Sequence, residues 1–308
     1  MKKWIALALA LVLLLSTVTT ALAQVTTIVP IFSGPDDFGT YTSLKLDSNG
    51  IPVISARSQS NGLIYLVRCS NTACINGNSK YSIGLGSDNS LALNSSGNPV
   101  ISYYSTANQD LVLVTCDDDV CSTAAYQTVA STGNVGQYNS LKLDSSGYPV
   151  ISYYDATNKT LNLAYCIGNV DCTSGLIVGR TLDNAADVGR YSSLALNSSG
   201  YPVVAYYDAD NGDLKLVVCS DSTCVAKAVV TVDSTGTVGV YPSLILNGSD
   251  YPIISYFDST NNHLKLVACG NTTCTSGNTF KTMDSSPNNG TYSSIALNAS
   301  GNPVISYR

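Results

Sequence analysis

A unit of about fifty residues recurs six times along this chain, and a period of that size is typical of propellers, solenoids or repeat arrays. Each unit centres on an apolar residue in a short strand-like segment. These anchors, spaced 47 to 53 residues apart, are Leu44, Leu91, Leu141, Leu194, Leu244 and Ile295. A unit this short cannot bury an apolar face alone, so neighbouring units must stack on one another.

Each unit predicts four short strands, seen most fully in the fourth copy at residues 193–197, 202–207, 214–219 and 228–232. Pro202 stands where it can begin a strand without interrupting one. The turns carry Gly with Asn or Asp, which supply the positive φ angles that tight hairpins require. All 21 acidic residues are Asp, a turn former, and Glu is missing, so helices should be nearly absent.

The predicted strands are apolar on both faces, whereas a sheet with one solvated face would alternate apolar and polar residues. Sheets arranged radially are each covered by two neighbours, and the ring leaves only short edges. A parallel β-helix would need shorter coils, and a string of separate sandwiches would need longer units. The sequence therefore predicts an all-β fold, a β-propeller with six blades of four antiparallel strands.

Closure of the ring is the open question, because the sixth copy stops at Arg308 within its second strand. Residues 25–32 read as a lone strand that we expect to complete this last blade, which would still be one strand short. The alternative is that the chain is a fragment of a longer array. Within a predicted domain of residues 24–308, the repeats cover residues 39–85, 86–135, 136–188, 189–238, 239–289 and 290–308.

The first 23 residues have the pattern of a secretory signal peptide. Lys2 and Lys3 precede an apolar run over residues 4–15, and a small-residue site at 21–23 precedes Gln24. A retained membrane anchor is the alternative, but the apolar run is shorter than the roughly twenty residues of a spanning helix. We predict a secreted or extracellular protein, at the cell surface or in the periplasm as further options, with no membrane span after cleavage.

Ten cysteines fall into five pairs, one in each complete repeat, with four or five residues between the two members. The first member should end the third strand and the second should open the fourth. This spacing places two Cα atoms across a hairpin mouth, within the roughly 4.4–6.8 Å that a disulfide needs. Zinc is the alternative, but it would require two pairs to converge on one ion, and successive blades hold them apart. The predicted disulfides join Cys69 with Cys74, Cys116 with Cys121, Cys166 with Cys172, Cys219 with Cys224 and Cys269 with Cys274.

The charge balance argues against a nucleic-acid partner. Without Lys2 and Lys3, 13 basic side chains remain against 21 acidic ones, and no basic face that would reward phosphate binding is visible. The partners we expect are an extracellular glycan or a surface protein. No cofactor is predicted.

Residues 143–158, reading Leu-Asp-Ser-Ser-Gly-Tyr-Pro-Val-Ile-Ser-Tyr-Tyr-Asp-Ala-Thr-Asn, resemble the core of NHL-type propeller repeats. They are more distantly similar to the Asp-box blades of sialidase-like propellers. The resemblance extends over residues 39–308. It implies a propeller fold and no particular chemistry.

Up-and-down topology predicts which loops share a face of the ring. The Gly-x-Tyr motif that begins each first strand should lie on the same face as the end of the second strand, opposite the cysteine hairpins. The first motif supplies Tyr41, Tyr138, Tyr191, Tyr241 and Tyr292, and the second supplies Tyr104, Tyr154, Asp155, Tyr207, Asp208, Phe257 and Asp258. Such a ring could bind sugars. Alternatively, each Tyr is a buried wedge between blades whose hydroxyl finds a backbone partner.

Departures from the repeat are further candidates for a binding site. Asp88 replaces the first-strand Tyr in the second copy, and Arg57 and Arg308 replace the second-strand Tyr in the first and sixth copies. If the ring closes, these three residues should cluster on one face. Because guanidinium groups pair well with carboxylates, the cluster predicts a site for an acidic sugar or another carboxylate. The alternative is drift of the repeat beside a chain end.

The sequence offers little for catalysis, and we assign no catalytic or metal-binding residue. A sialidase-like site needs several arginines and a Glu-activated Tyr, yet the chain has no Glu, and Arg68 and Arg180 fall on outer strands. His263 occupies a turn position. Asp155 with Asp208 is the best acid–base pair available. The acidic turns at 117–119 and 208–213 lack the ligand spacing of an EF-hand.

These observations predict a secreted, disulfide-linked β-propeller that acts as a non-catalytic binding module for a glycan, a cell-envelope component or a protein. The alternative is an extracellular glycoside hydrolase or lyase of sialidase-like architecture that uses Asp residues.

Overall fold

In the computed structural model, which describes residues 38–173, 175–286 and 289–308, every regular element is a β-strand. The predicted signal peptide and the predicted strand at 25–32 lie outside the described residues. The strands are β1 (Phe38–Leu46), β2 (Pro52–Ser58), β3 (Leu63–Arg68), β4 (Ser79–Leu93), β5 (Pro99–Ser105), β6 (Asp110–Cys116), β7 (Ala124–Ala130), β8 (Val135–Leu143), β9 (Pro149–Asp155), β10 (Thr160–Ile167), β11 (Leu176–Asp183), β12 (Val188–Leu196), β13 (Pro202–Asp208), β14 (Asp213–Cys219), β15 (Lys227–Asp233), β16 (Val238–Leu246), β17 (Pro252–Asp258), β18 (His263–Ala268), β19 (Thr279–Asp284), β20 (Ser294–Leu297) and β21 (Pro303–Ser306).

The strands form antiparallel meanders in which each strand pairs with the next one along the chain. β8–β11, β12–β15 and β16–β19 are four-stranded sheets, β1–β7 form a seven-stranded sheet, and β20–β21 form a two-stranded one. No helix long and apolar enough to cross a membrane occurs in the part of the chain that the structure describes.

The seven-stranded sheet arises because β4 serves two repeats. Its first part, Ser79–Leu85, pairs with β3, and its second part, from Gly86, pairs with β5. Between later repeats a polar turn separates these two segments, as at residues 184–187. The first two repeats lack that insertion, which explains why their anchors Leu44 and Leu91 are only 47 residues apart. The six-blade count stays a prediction.

Apolar side chains are buried on both faces of the central strands, as the sequence predicts. Every residue of β5, β9 and β17 is buried. Five of the six buried clusters among the described residues join two successive repeats; for example, Leu216 and Val218 of β14 pack with Leu244 and Ile254 of the next repeat. Burial of this area between sheets, worth about 25 cal/mol per Å² of apolar surface, is the main force holding neighbouring sheets together.

A serine on the first strand of a repeat, which we call the inner strand, adds a hydrogen bond between neighbouring repeats. Its Oγ accepts the backbone N–H of the anchor residue in the following repeat, at 3.0 to 3.2 Å. Because the bond joins one inner strand to the next, it fixes the register of the strands around the axis. The pairs are Ser43 with Leu91, Ser90 with Leu141, Ser140 with Leu194, Ser193 with Leu244 and Ser243 with Ile295.

All five predicted disulfides are confirmed. The Cα–Cα distance is 5.4 Å in Cys166–Cys172 and 4.8 Å in the other four. Each bridge ties the end of a third strand to the connection that leads into the outermost strand of the same repeat, and five bridges indicate an oxidising environment. The other four are Cys69–Cys74, Cys116–Cys121, Cys219–Cys224 and Cys269–Cys274.

The position predicted for the second cysteine of each pair is wrong, because that residue lies in a loop and does not open the fourth strand. The fourth strand begins three to five residues later, and the second cysteine adopts a left-handed conformation with φ between +55° and +60°. A tight turn precedes it, as where the N–H of Cys74 donates to the Asn71 carbonyl. The second cysteines are Cys74, Cys121, Cys172, Cys224 and Cys274.

Candidate functional site

Six residues at equivalent positions, one from each repeat, line a single cavity of about 250 Å³. We call them the tyrosine ring: Tyr41, Asp88, Tyr138, Tyr191, Tyr241 and Tyr292. Each is the third residue of the Gly-x-Tyr motif near the start of the inner strand. In the second repeat, Asp88 takes the place of the Tyr. The inner strands thus bring five aromatic rings and one carboxyl group from distant parts of the sequence to one place.

A bulge in the inner strand of each of the first five repeats turns these side chains toward the cavity. In β12 the register against β13 shifts between Val188, Arg190 and Ser193, so Tyr191 falls at the bulge. Its φ is +57°, and the other five ring residues lie between +50° and +53°. Gly189 before it has φ +107°, and a Cβ there would lie 2.6 Å from the Cα of Leu161. The motif therefore needs its glycine.

The left-handed conformation costs each non-glycine residue about 1 kcal/mol. Six such residues around one cavity represent a concentration of backbone strain that is characteristic of ligand-binding and active sites. The surrounding sheets maintain this strain, because the strands on either side of each bulge remain paired. The geometry thus favours a binding site at the tyrosine ring.

The ring tyrosines are in contact with one another and remain open to solvent. Successive ring centroids are 4.4 Å apart for Tyr138–Tyr191 and Tyr191–Tyr241 and 4.1 Å apart for Tyr241–Tyr292. The Tyr241 hydroxyl donates a hydrogen bond to that of Tyr292 at 3.2 Å. Tyr41 and Tyr292 are 45% and 59% exposed, and Tyr138, Tyr191 and Tyr241 are half-buried. None of the five is a fully buried wedge.

The wedge role belongs to the first tyrosine of the second-strand pair. Tyr206 and Tyr256 are completely buried between sheets, and their hydroxyls donate to the carboxylates of Asp183 and Asp233. The partner is thus a side chain and not the backbone. The second tyrosines of the pairs lie behind the ring. The ring centroids of Tyr154 and Tyr138 are 6.0 Å apart, and those of Tyr207 and Tyr191 are 6.5 Å apart. Tyr104, at the same position in β5, is buried.

The amide and hydroxyl side chains that line the cavity are used between sheets. Asn89 accepts a hydrogen bond from Ser55 and donates to the carbonyl of Tyr41. Asn139 repeats this pattern one sheet further on, and Ser192 donates to the carbonyl of Tyr138. A molecule in the cavity would therefore meet mainly tyrosine rings, tyrosine hydroxyls and Asp88.

Asp88 is the carboxylic acid of the ring, and burial raises its pKa to about 6. A hydrogen bond from Ser87 and the positive charge of Arg57 oppose this shift without cancelling it. Arg57 donates its Nε–H to the carbonyl of Gly86 at 3.0 Å and forms no ion pair with any described residue. Asp88 is thus close enough to Arg57 to feel its charge but is not neutralised by it.

Arg308, the third member of the predicted cluster, is exposed at the end of the sixth repeat. Its backbone carbonyl accepts the N–H groups of Gly290 and Thr291. Its side chain forms no ion pair with Asp88 or any other described residue. The carboxylate site predicted from Arg57, Asp88 and Arg308 remains a prediction.

The second-strand aspartates hold turns together. Asp155 Oδ1 accepts the N–H groups of Thr157 and Asn158, and the Asn158 side chain donates to Oδ2. Asp208 and Asp258 make the equivalent bonds to Asn211 and Asn261, and all three carboxylates are buried. With these oxygens occupied, the geometry gives the three aspartates a structural role. In the described part of the chain, no three metal-binding side chains cluster.

Sequence reasoning missed an ion-pair cluster on the same face. Arg190 forms a two-pronged contact with Asp187, at 3.1 Å from Nε to Oδ1 and 2.6 Å from its terminal nitrogen to Oδ2. The Tyr154 hydroxyl donates to Asp187 at 2.7 Å, and the Lys159 ammonium lies 3.9 Å away. Burial would raise the pKa of Asp187, but these partners lower it by more. The one signal in the sequence was Arg at the middle of a Gly-x-Tyr motif.

The turn before Arg190 contains a strained alanine. Ala186 has φ +87°, where the equivalent turns of the second and fourth repeats place Gly133 and Gly236 at +89° and +88°. We expect Ala186→Gly to stabilise the protein by about 0.5 kcal/mol, because the cost of the positive φ exceeds the extra chain entropy of glycine. Thermal unfolding measures this effect as a rise in Tm of about 1 °C.

Gly236→Ala is the matched control and should change Tm in the opposite direction. A Cβ at this position would lie 2.6 Å from the Thr260 hydroxyl oxygen, in addition to the strained φ. An Ala186→Gly protein that melts at or below the parent temperature would show that Ala186 is not strained.

Comparison with known proteins places the fold. No family model and no curated protein matches the sequence. Among solved structures, an intramolecular trans-sialidase from Ruminococcus gnavus matches 90% of this chain and 92% of its own, with a TM-score of 0.61 and 10% identity. The NanB sialidase from Streptococcus pneumoniae gives a TM-score of 0.60, again at 10% identity, over 90% of this chain and 67% of that one.

The chain folds as a sialidase-like β-propeller. A Dyadobacter fermentans protein of unknown function shares the fold, with a TM-score of 0.59 at 10% identity over 87% of this chain and 89% of its own. The more distant of the two resemblances seen in the sequence is thereby confirmed at the level of the fold. At this identity the similarity of the propeller to sialidases establishes architecture and not activity.

Proposed function

We propose that the protein is a secreted, non-catalytic binding module and that the tyrosine ring is its glycan-binding site. The observation that carries the proposal is the convergence of five tyrosines, each at a strained positive φ, on one cavity. Aromatic faces stack on the apolar faces of pyranose rings, while tyrosine hydroxyls bond to sugar hydroxyls.

Secretion is part of the proposal. The predicted signal peptide would deliver the chain to an oxidising compartment, and the five disulfides require one. A glycan outside the cell, free or on a cell envelope, is a partner that fits both this location and the tyrosine ring.

The positions of the arginines support binding over sialidase-type catalysis. Arg68 pairs with Asp47 at 2.5 Å, and Arg190 pairs with Asp187. Arg57 bonds a backbone carbonyl near the ring, and the charge of Arg190 also reaches the ring at Tyr138, but Arg190 is already paired. One arginine without an ion pair does not make the multi-arginine site on which sialidase chemistry depends.

A glycoside hydrolase is the second candidate, and the raised pKa of Asp88 favours it, because a general acid needs a pKa near the working pH. Such enzymes use two carboxyl groups roughly 5 to 9.5 Å apart. Among the residues that line this cavity, Asp88 is the one carboxylic acid. Turnover of a chromogenic glycoside that Asp88→Asn abolishes would establish the hydrolase and overturn the non-catalytic proposal.

The ring predicts a specific effect of Tyr191→Ala on glycan binding. Tyr191 lies in the middle of the row of contacting rings, and its ring centroid is 4.4 Å from that of each neighbour. We expect its loss to weaken binding to the best ligand of a glycan array by at least about tenfold, the usual effect of removing a central aromatic contact.

Phe280→Ala is the control, because Phe280 is an exposed aromatic residue on the outer strand β19. It should leave binding unchanged. Equal loss of binding in the two variants, or no loss in either, would remove the tyrosine ring as the glycan site. Thermal unfolding of both proteins excludes a folding defect.

A further inference from the structure

We propose that the tyrosine ring recognises a positively charged nitrogen, an alkylammonium group, with Asp88 as its counter-charge. This inference rests on the proposed binding site and names the chemistry of its ligand. A cation held against several aromatic faces beside one carboxylate combines two attractions that a neutral molecule lacks.

The charge of the cavity is the first observation. Ten residues line it, and Asp88 is the one that is charged when ionised. The nearest cation, Arg57, is tied to the Gly86 carbonyl and does not pair with the carboxylate. The chain as a whole carries a net charge of −6, which adds a long-range attraction for cations.

The aromatic faces are the second observation. Centroid distances of 4.1 to 4.4 Å between successive rings mean that one bound group can touch several of them at once. The face of a tyrosine ring carries negative electrostatic potential and attracts a cation within about 6 Å of its centroid. Tyr138, Tyr191, Tyr241 and Tyr292 supply an array of such faces, and Tyr41 and Asp88 complete the ring.

The third observation is that the two amide side chains and the serine of the cavity are already occupied. Asn89, Asn139 and Ser192 line the cavity, but their polar atoms are bonded to neighbouring sheets. The tyrosine hydroxyls and the Thr42 hydroxyl also line it and can bond to sugar hydroxyls. An alkylammonium group needs no such directed bonds, since π faces and a single carboxylate recognise it without a fixed direction.

The position of Asp88 in the repeat is the fourth observation. All five other copies place Tyr there, and Asp88 adopts the same left-handed conformation at φ +50°. The substitution puts a carboxylate where burial disfavours its charge. A bound cation would offset that cost, which gives the departure from the repeat a purpose.

The groups that face Asp88 allow a prediction about pH. They are the Ser87 hydroxyl, Arg57, and the ring residues Tyr41 and Tyr138, whose pKa values burial raises further above 10. These tyrosines therefore stay neutral between pH 5 and 8, and Asp88 is the group that titrates in this range. Binding of an alkylammonium group should strengthen as the pH rises through about 6.

The experiment measures binding of choline to the full protein by calorimetry, beside 3,3-dimethylbutan-1-ol, in which carbon replaces the charged nitrogen. We expect choline to bind at least about tenfold more tightly than this neutral isostere. Glucosamine against glucose repeats the comparison for an amino sugar, so the two pairs distinguish a quaternary ammonium from an amino-sugar source.

Asp88→Asn should lower choline affinity about tenfold and remove the pH dependence of binding. Asp88→Tyr restores the repeat and adds a sixth aromatic ring, and it should show the same loss of affinity. Asp118→Asn, in a cysteine hairpin on the opposite face, should change nothing. Equal affinity for the charged and neutral molecules, no binding of either amine, or full affinity in both Asp88 variants would overturn the inference. If the inference fails, a neutral glycan on the array whose binding depends on Tyr191 would still support the proposed function.

Discussion

Asp183→Ala should lower the free energy of unfolding by about 3 kcal/mol, the usual cost of leaving one member of a buried ion pair alone. The Lys215 ammonium lies 2.6 Å from Asp183, and the Lys215 side chain is only 10% exposed. The Tyr206 hydroxyl donates to the same carboxylate oxygen at 2.5 Å. Without Asp183, Lys215 would keep only Asp208, at 3.8 Å, and Tyr206 would lose its partner.

The pH dependence of this contribution follows from the same contacts. Burial would raise the pKa of Asp183, but the hydrogen bonds from Lys215 and Tyr206 lower it by more, so the folded-state pKa lies below the usual 3.8. A depressed carboxyl pKa contributes stability above the unfolded-state pKa, and the contribution is lost as the pH falls through the folded value. The difference between parent and Asp183→Ala should therefore shrink below pH 4.

Chemical denaturation at pH 7 measures the effect, and the protein supplies its own control. One repeat earlier, the equivalents of Asp183 and Lys215 are Ala130 and Asn162. The double variant Asp183→Ala with Lys215→Asn copies that pair and should cost less than the two single changes added together. Additive effects, or a loss below 1 kcal/mol for Asp183→Ala alone, would contradict this account of how the sheets are joined.

Asp88→Asn should have the opposite effect and stabilise the protein at pH 7 by about 2 kcal/mol. Burial raises the folded-state pKa of Asp88 to about 6, above the value of 3.8 for an exposed Asp. The folded protein therefore holds this proton more tightly than the unfolded chain. The stability that Asp88 contributes is complete below about pH 4 and is lost as the pH rises through 6.

Thermal unfolding of parent and Asp88→Asn across this pH range tests the sign. The two melting temperatures should converge near pH 4 and diverge toward pH 7, with the variant higher. Asp117→Asn, an exposed change in a cysteine hairpin, should keep a constant offset. A variant that is less stable at pH 7 than the parent would show that the Asp88 carboxylate is well solvated and not held at a cost for binding.

The repeating features of the fold could be predicted from sequence because they depend on local chemistry. The spacing of anchors such as Leu141 and Leu194 indicated the unit, the Gly-x-Pro turns indicated its strands, and pairs such as Cys219 and Cys224 indicated the disulfides. Apolar residues on both strand faces predicted stacked sheets, since burial of apolar surface is the main force in packing.

The ring geometry could not be predicted, because it depends on the sign of one backbone angle. Whether Tyr191 enters a sheet interface or an axial cavity is decided by the bulge at Arg190–Ser193, and that bulge arises from pairing with β13. The continuous β4 likewise follows from a missing turn between repeats. Asp155 looked available for chemistry until its hydrogen bonds to Asn158 were known.

The most direct test of the central claim is a titration of the protein, labelled with ¹³C at tyrosine, with its best array ligand, followed by NMR. The chain has 20 tyrosines, and five of them form the ring, so the spectrum contains its own controls. The account predicts shifts of the ring signals from Tyr41, Tyr138, Tyr191, Tyr241 and Tyr292, with smaller changes at Tyr154 and Tyr207 behind them. Shifts confined to tyrosines elsewhere, such as Tyr126 or Tyr251, would place the ligand on another surface and contradict it.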